Sequence, residues 1–144
     1  MEAQHRSVSG SLHMDITDGS ETEKVTTHFT GDFYRRNNVD VITFQEKNDQ
    51  LSIKNLITIQ DDKVSIKRTG DIKMYQQFRV NQPTENVYKH SHVTIHMETY
   101  THKLGYQPLN SSGTGRLSIA FTVKLNGQEE RNHQLTLLMK EDSK

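Results

Sequence analysis

The sequence predicts an all-β protein, a single antiparallel up-and-down barrel of about eight to ten strands. Three observations carry that prediction. Apolar residues recur at every second position along most of the chain, the period of a strand with one buried face. No stretch of helix length carries the apolar stripe of roughly 3.6-residue period that a packed helix needs. The alternating segments are joined by turn signals, such as Asp18-Gly19-Ser20 and Asn126-Gly127, which make hairpins rather than long crossovers. Sequential hairpins favour a closed barrel over a sandwich. The 144 residues suit one domain spanning 1–144, with an ordered core over about 6–140.

The first strand is expected over 6–17, with Val8, Gly10, Leu12, Met14 and Ile16 on one face. The second, 23–35, aligns Val25, Thr27, Phe29, Gly31 and Phe33, and Arg35-Arg36-Asn37-Asn38 then turns the chain. Strand 39–46 is apolar on both sides, Val39, Val41 and Thr43 opposing Ile42 and Phe44, and reads as the most covered of the set. Lys47-Asn48-Asp49-Gln50 leads into 51–60, where Leu51, Ile53, Ile57 and Ile59 alternate around Asn55. Asp61-Asp62-Lys63 turns again into the central stretch, 64–80. There Val64, Ile66 and Arg68 share a face, Gly70 permits a bend, and Ile72, Met74, Gln76, Phe78 and Val80 form a second row.

Asn81-Gln82-Pro83 breaks the pattern, because proline has no ladder donor. Residues 84–91 suit a short strand or a loop crossing a barrel end. Over 92–103 Val93, Ile95, Met97 and Thr99 face inward, with His92, His96, Glu98 and Tyr100 outward. The segment 104–114 is the longest expected loop. Leu117, Ile119, Phe121, Val123 and Leu125 then make the cleanest strand, and Leu135, Leu137 and Met139 mark the last, about 129–140. The tail Glu141-Asp142-Ser143-Lys144 is expected to fray.

Composition narrows the partners. Lys plus Arg and Asp plus Glu number 18 each, so no excess positive field exists for a phosphate backbone or an anionic membrane. The chain has no cysteine, which removes disulfides, thiolate metal sites, iron–sulfur clusters and thiol nucleophiles together. Mean hydropathy is −0.82, and no run approaches the roughly 18 apolar residues of a membrane helix. The polar start Met1-Glu2-Ala3-Gln4-His5-Arg6 shows no signal peptide. The expectation is a cytoplasmic protein without a cofactor.

Arg68-Thr69-Gly70 followed by Met74-x-Gln76-x-Phe78 resembles the YwiB-like family, bacterial proteins grouped as a domain of unknown function. Gly115-Arg116-Leu117-Ser118-Ile119-Ala120-Phe121 and the Gly31-x-Phe33-Tyr34 step fit the same resemblance, which spans roughly 8–140. It implies a calycin-type, lipocalin-like antiparallel barrel. It implies no activity and supplies no site residues. The chain has no tryptophan, so the Gly-x-Trp opening of true lipocalins is absent.

Arg68 and Gln76 interrupt core-facing rows, and a polar group there needs a partner or a ligand. A guanidinium in a dry cup can hold a carboxylate or phosphate bidentately. Ile66, Ile72, Met74 and Phe78 would wall an apolar tail, with Arg116 as a further candidate. The alternative is that Arg68 closes a barrel end through backbone carbonyls or an acid, in a barrel that is simply filled. The even-numbered His90, His92, His96 and His102 would share one face of a continuous strand, but they oppose the apolar row and read as a wet outer face rather than a metal site. No nucleophile elbow, zinc-protease pair or phosphate loop occurs. Three functions remain: a small-ligand barrel for an amphipathic or anionic molecule, an interaction barrel using the 104–114 loop or an edge strand, and an enzyme at the barrel mouth.

Overall fold

The computed structural model describes residues 4–142 apart from Asp49 and Gly127. Ten strands form one closed antiparallel barrel: β1 (Gln4–Asp18), β2 (Glu21–Arg36), β3 (Val39–Asn48), β4 (Leu51–Ile59), β5 (Val64–Gly70), β6 (Ile72–Phe78), β7 (Pro83–His90), β8 (Val93–Gln107), β9 (Thr114–Leu125) and β10 (Arg131–Glu141). Each strand pairs with its neighbour in sequence, and β1 closes the ring against β10 from Val8↔Glu141 to Thr17↔Asn132. The described residues contain no helix.

The alternation in the sequence translates directly into inside and outside. Val8, Phe29, Phe33, Ile42, Phe44, Ile57, Phe78, Leu117, Phe121 and Leu137 are buried in one apolar cluster. Every second residue of a strand points to the same face, so a polar–apolar alternation needs no helix to cover it. On β3 the inward row is Asp40, Ile42, Phe44 and Glu46, while Val39, Val41 and Thr43 are half-buried outside. Asn37 and Asn38 both adopt left-handed backbone, with φ of 53° and 66°, as a tight hairpin with the twist of its strands requires. Gly70 provides the expected corner between β5 and β6. Its φ is +113° and a Cβ there would strike the Ser52 carbonyl, so only glycine fits. Asp71 completes the corner by accepting a 2.6 Å hydrogen bond from Ser52 N–H.

Two expectations are corrected, and one left open between alternatives is decided. The segment 104–114 is not one loop: β8 continues to Gln107. A bulge between Thr101 and Lys103 shifts the register, so Leu104 and Tyr106 take over the inward positions from Thr99 and Thr101. Of the two alternatives for 84–91, a short strand or a loop, the strand is found, as β7. Val80 leaves the inward row after Phe78 and is exposed, bridging to Thr101. The Gly127 half of the Asn126-Gly127 turn and the Ser143-Lys144 end of the tail lie outside the described residues, while Glu141 is paired in β10.

The two ends of the barrel differ. At the end carrying the β2–β3 and β8–β9 connections, Leu109 joins the apolar cluster and Asp40 is only 4% exposed. Arg35 donates to Asp40 through Nε and Nη2, at 2.7 and 2.9 Å, and Tyr106 Oη donates to the same carboxylate. Hydrogen bonding to Asp40 raises the Arg35 pKa, while burial first and the Asp40 hydrogen bond second raise that of Tyr106. A pocket of about 430 Å³ at this end is lined by these same groups, Arg35, Asp40 and Tyr106, together with Asn38, Ile59 and Gln60.

Candidate functional site

The opposite end, which carries the β1–β2, β3–β4 and β5–β6 turns, is hollow. A cavity of about 360 Å³ lies at the low end of the roughly 300–1,000 Å³ range of ligand pockets. Leu12, Met14 and Ile16 of β1 and Val25 and Thr27 of β2 line one side. Ile57, Ile66, Met74 and Leu135 complete the apolar wall, and Glu46, Asn55, Arg68 and Gln76 are its polar groups.

The polar groups come together through register. Asn55 on β4 stands directly opposite Arg68 on β5, and Arg68 stands opposite Met74 on β6. Glu46 lies one inward step from Phe44, the β3 partner of Asn55. Glu46 Oε1 accepts hydrogen bonds from Asn55 Nδ2 at 2.7 Å and from Arg68 Nη2 at 3.1 Å. Asn55 is 2% exposed, and the side chains of Arg68 and Glu46 are 26% and 15% exposed. Arg68 Nε is buried with no hydrogen-bond partner. Gln76 is buried and donates to Thr99 Oγ1 at 2.9 Å across the barrel wall.

Arg68, Met74 and Gln76 thus share one cavity wall, as their rows suggest. Phe78 does not reach it: fully buried, it packs edge-on against Phe121 with ring centroids 4.8 Å apart. Arg116 is outside. It is exposed on β9 opposite Leu138 and Gln107, because the inward parity of β9 belongs to Leu117 and Ile119. The histidines do not form one row. His90 ends β7, His92 sits in the hairpin turn, His96 is on β8, and His102 sits in the bulge bonded to Thr122. Among the described residues no cluster of three His, Cys, Asp or Glu is placed to hold a metal ion.

Residues 11–137 match the family model described as Domain of unknown function (DUF1934). The chain belongs to that family. It is also similar to the uncharacterized beta-barrel protein YwiB of Bacillus subtilis (strain 168), with 26% identity over 122 residues, 85% of this chain and 84% of that one. The crystal structure of the ywiB protein from Bacillus subtilis has the same fold, with a TM-score of 0.84, 22% identity, and coverage of 96% of this chain and 94% of that chain.

In this DUF1934 barrel the sequence reading missed two cavity residues, Glu46 and Asn55, and an interior histidine. Glu46 shares parity with Ile42 and Phe44, but Val39, Val41 and Thr43 make the other face of the strand as apolar, so that parity alone does not mark it as inward. His133 of β10 stacks on Phe121 at 5.0 Å between centroids, and its Nδ1 is buried without a partner. Burial, with a lesser push from the Arg131 charge, lowers its pKa to about 4.

Proposed function

We propose that this DUF1934 barrel binds a small amphipathic molecule in the hollow end of its interior. The observation that carries the reading is an unfilled cavity beside a buried N–H, Arg68 Nε, that has no partner. Folded proteins seldom leave a buried donor unpaired, so an acceptor from outside the chain belongs there. The ligand's polar head meets Arg68, Glu46 and Asn55, and its apolar part lies along Met14, Ile57, Ile66 and Met74. Phe78 supports the floor through Phe121 without touching the ligand. An aqueous, cytoplasmic setting fits an outer surface that carries the charged and polar residues of each strand, the reverse of a membrane barrel. No described helix is long and apolar enough to cross a membrane.

A filled barrel working through its surface has the buried apolar cluster, with Leu109 joined to it, in its favour. Its edge-strand contact is gone, since β1–β10 pairing closes the ring; its loop contact shrinks to 108–113, where Leu109 is drawn into the core while Asn110, Ser111 and Ser112 stay exposed.

The test is native mass spectrometry of the protein purified from its own cells. The expected result is an added small-molecule mass that disappears on denaturation and is absent from Arg68→Ala protein that remains folded. Bare protein mass, with no thermal shift from any amphiphile in a small-molecule panel, refutes the reading.

A further inference from the structure

We infer that Glu46 makes the site select an amphiphile with a neutral hydroxyl or amide head over one with an anionic head. This rests on the cavity reading above and assigns its ligand class.

Arg68 alone would recommend an anion. Yet its guanidinium is already spent in part, because Nη2 donates to Glu46 Oε1 at 3.1 Å. Glu46 and Arg68 are the charged groups among the described residues lining the cavity, so the wall is formally neutral. Nε and Nη2 belong to one rigid fork. An acceptor bonded to Nε therefore sits within the roughly 4–6 Å over which the Glu46 charge acts strongly on it. For a carboxylate head, attraction to Arg68 and repulsion from Glu46 offset each other. The cost of taking the anion out of water is then left unbalanced.

A hydroxyl or amide head meets no such conflict. Its oxygen accepts from Arg68 Nε, and its own hydrogen donates to the Glu46 carboxylate. Asn55 Nδ2 holds Glu46 from behind at 2.7 Å and fixes where that acceptor points. Asn55 is itself almost wholly buried, which locks the arrangement against rotation.

Isothermal titration of the full chain at neutral pH with octanamide, 1-octanol and sodium octanoate tests this. Octanamide is expected to bind tighter than octanoate by about tenfold or more. In Glu46→Gln, which keeps the acceptor for Asn55 and Arg68 but removes the charge, octanoate gains about tenfold and most or all of its gap to the amide closes. An unchanged circular dichroism spectrum and cooperative urea unfolding show that the variant is folded. If it does not fold, the amide-to-carboxylate ratio of the unaltered protein decides alone. Octanoate binding as tightly as octanamide, or a ratio unchanged by Glu46→Gln, overturns the assignment while leaving the cavity reading intact. Binding of none of the three overturns both.

Discussion

His133 makes the barrel acid-sensitive by an amount that follows from its surroundings. Its ring is buried against Phe121 and its pKa is lowered from 6.5 to about 4. Between those values the unfolded chain binds a proton that the folded chain refuses, so stability rises with pH across that window. The contribution is whole above pH about 6.5 and is lost as pH falls toward 4. At 1.36 kcal/mol per unit the full shift corresponds to about 3 kcal/mol. Residual solvent at the ring screens this to about 2 kcal/mol, a large part of the roughly 5–15 kcal/mol that holds a domain together. His133→Phe keeps an aromatic ring on Phe121 and removes the titration. Urea unfolding of both proteins at pH 7 and pH 4.5 isolates the term, because every other ionisable group is common to the two. The unaltered protein is expected to lose about 2 kcal/mol more than the variant on acidification. Equal losses would refute the reasoning.

Four further outcomes follow from the same structure. Arg68→Ala strands a largely buried Glu46 carboxylate and is expected to cost about 2–3 kcal/mol; adding Glu46→Gln, which removes the stranded charge and keeps the acceptor for Asn55, recovers most of it, as read by denaturant midpoints. Phe78→Ala removes a fully buried ring and is expected to cost about 3–5 kcal/mol in chemical unfolding. Gly31→Ala drives a Cβ into the Thr43 carbonyl of β3, backbone that cannot step aside, so soluble yield and thermal midpoint fall, with a loss of at least about 1–3 kcal/mol. Arg116→Ala, on the wet face of β9, changes stability by less than about 0.5 kcal/mol and leaves amphiphile titration unaltered.

The architecture was largely readable because an up-and-down barrel makes each strand's alternation and each hairpin's turn a local statement. What escaped did so where locality fails. One extra residue in the β8 bulge reverses parity, so Leu104 and Tyr106 look out of phase with Thr99 and read as a loop. β7 was obscure because its strand carries Pro83, Thr84, Glu85 and Asn86 and lacks an apolar row. At the site, Arg68 and Gln76 announced themselves by interrupting apolar rows. Glu46 ended a strand whose two faces were both apolar and gave no reason to prefer one. Its partnership with Arg68 crosses β4, and a contact between β3 and β5 has no signature in the order of residues. Arg116 drew attention through a motif, although its parity already placed it outside.

The seam between β1 and β10 has a consequence for synthesis. Of the ten strands, β1 leaves the ribosome before the others and β10 after them, yet the two are neighbours, so the nascent barrel stays an open curl of sheet until β10 emerges. Its two unsatisfied rims, from β1 and from whichever strand has just appeared, are then free to zip onto another nascent copy. Closure is thus a single late event, and the window before it is when the protein is most in need of shelter.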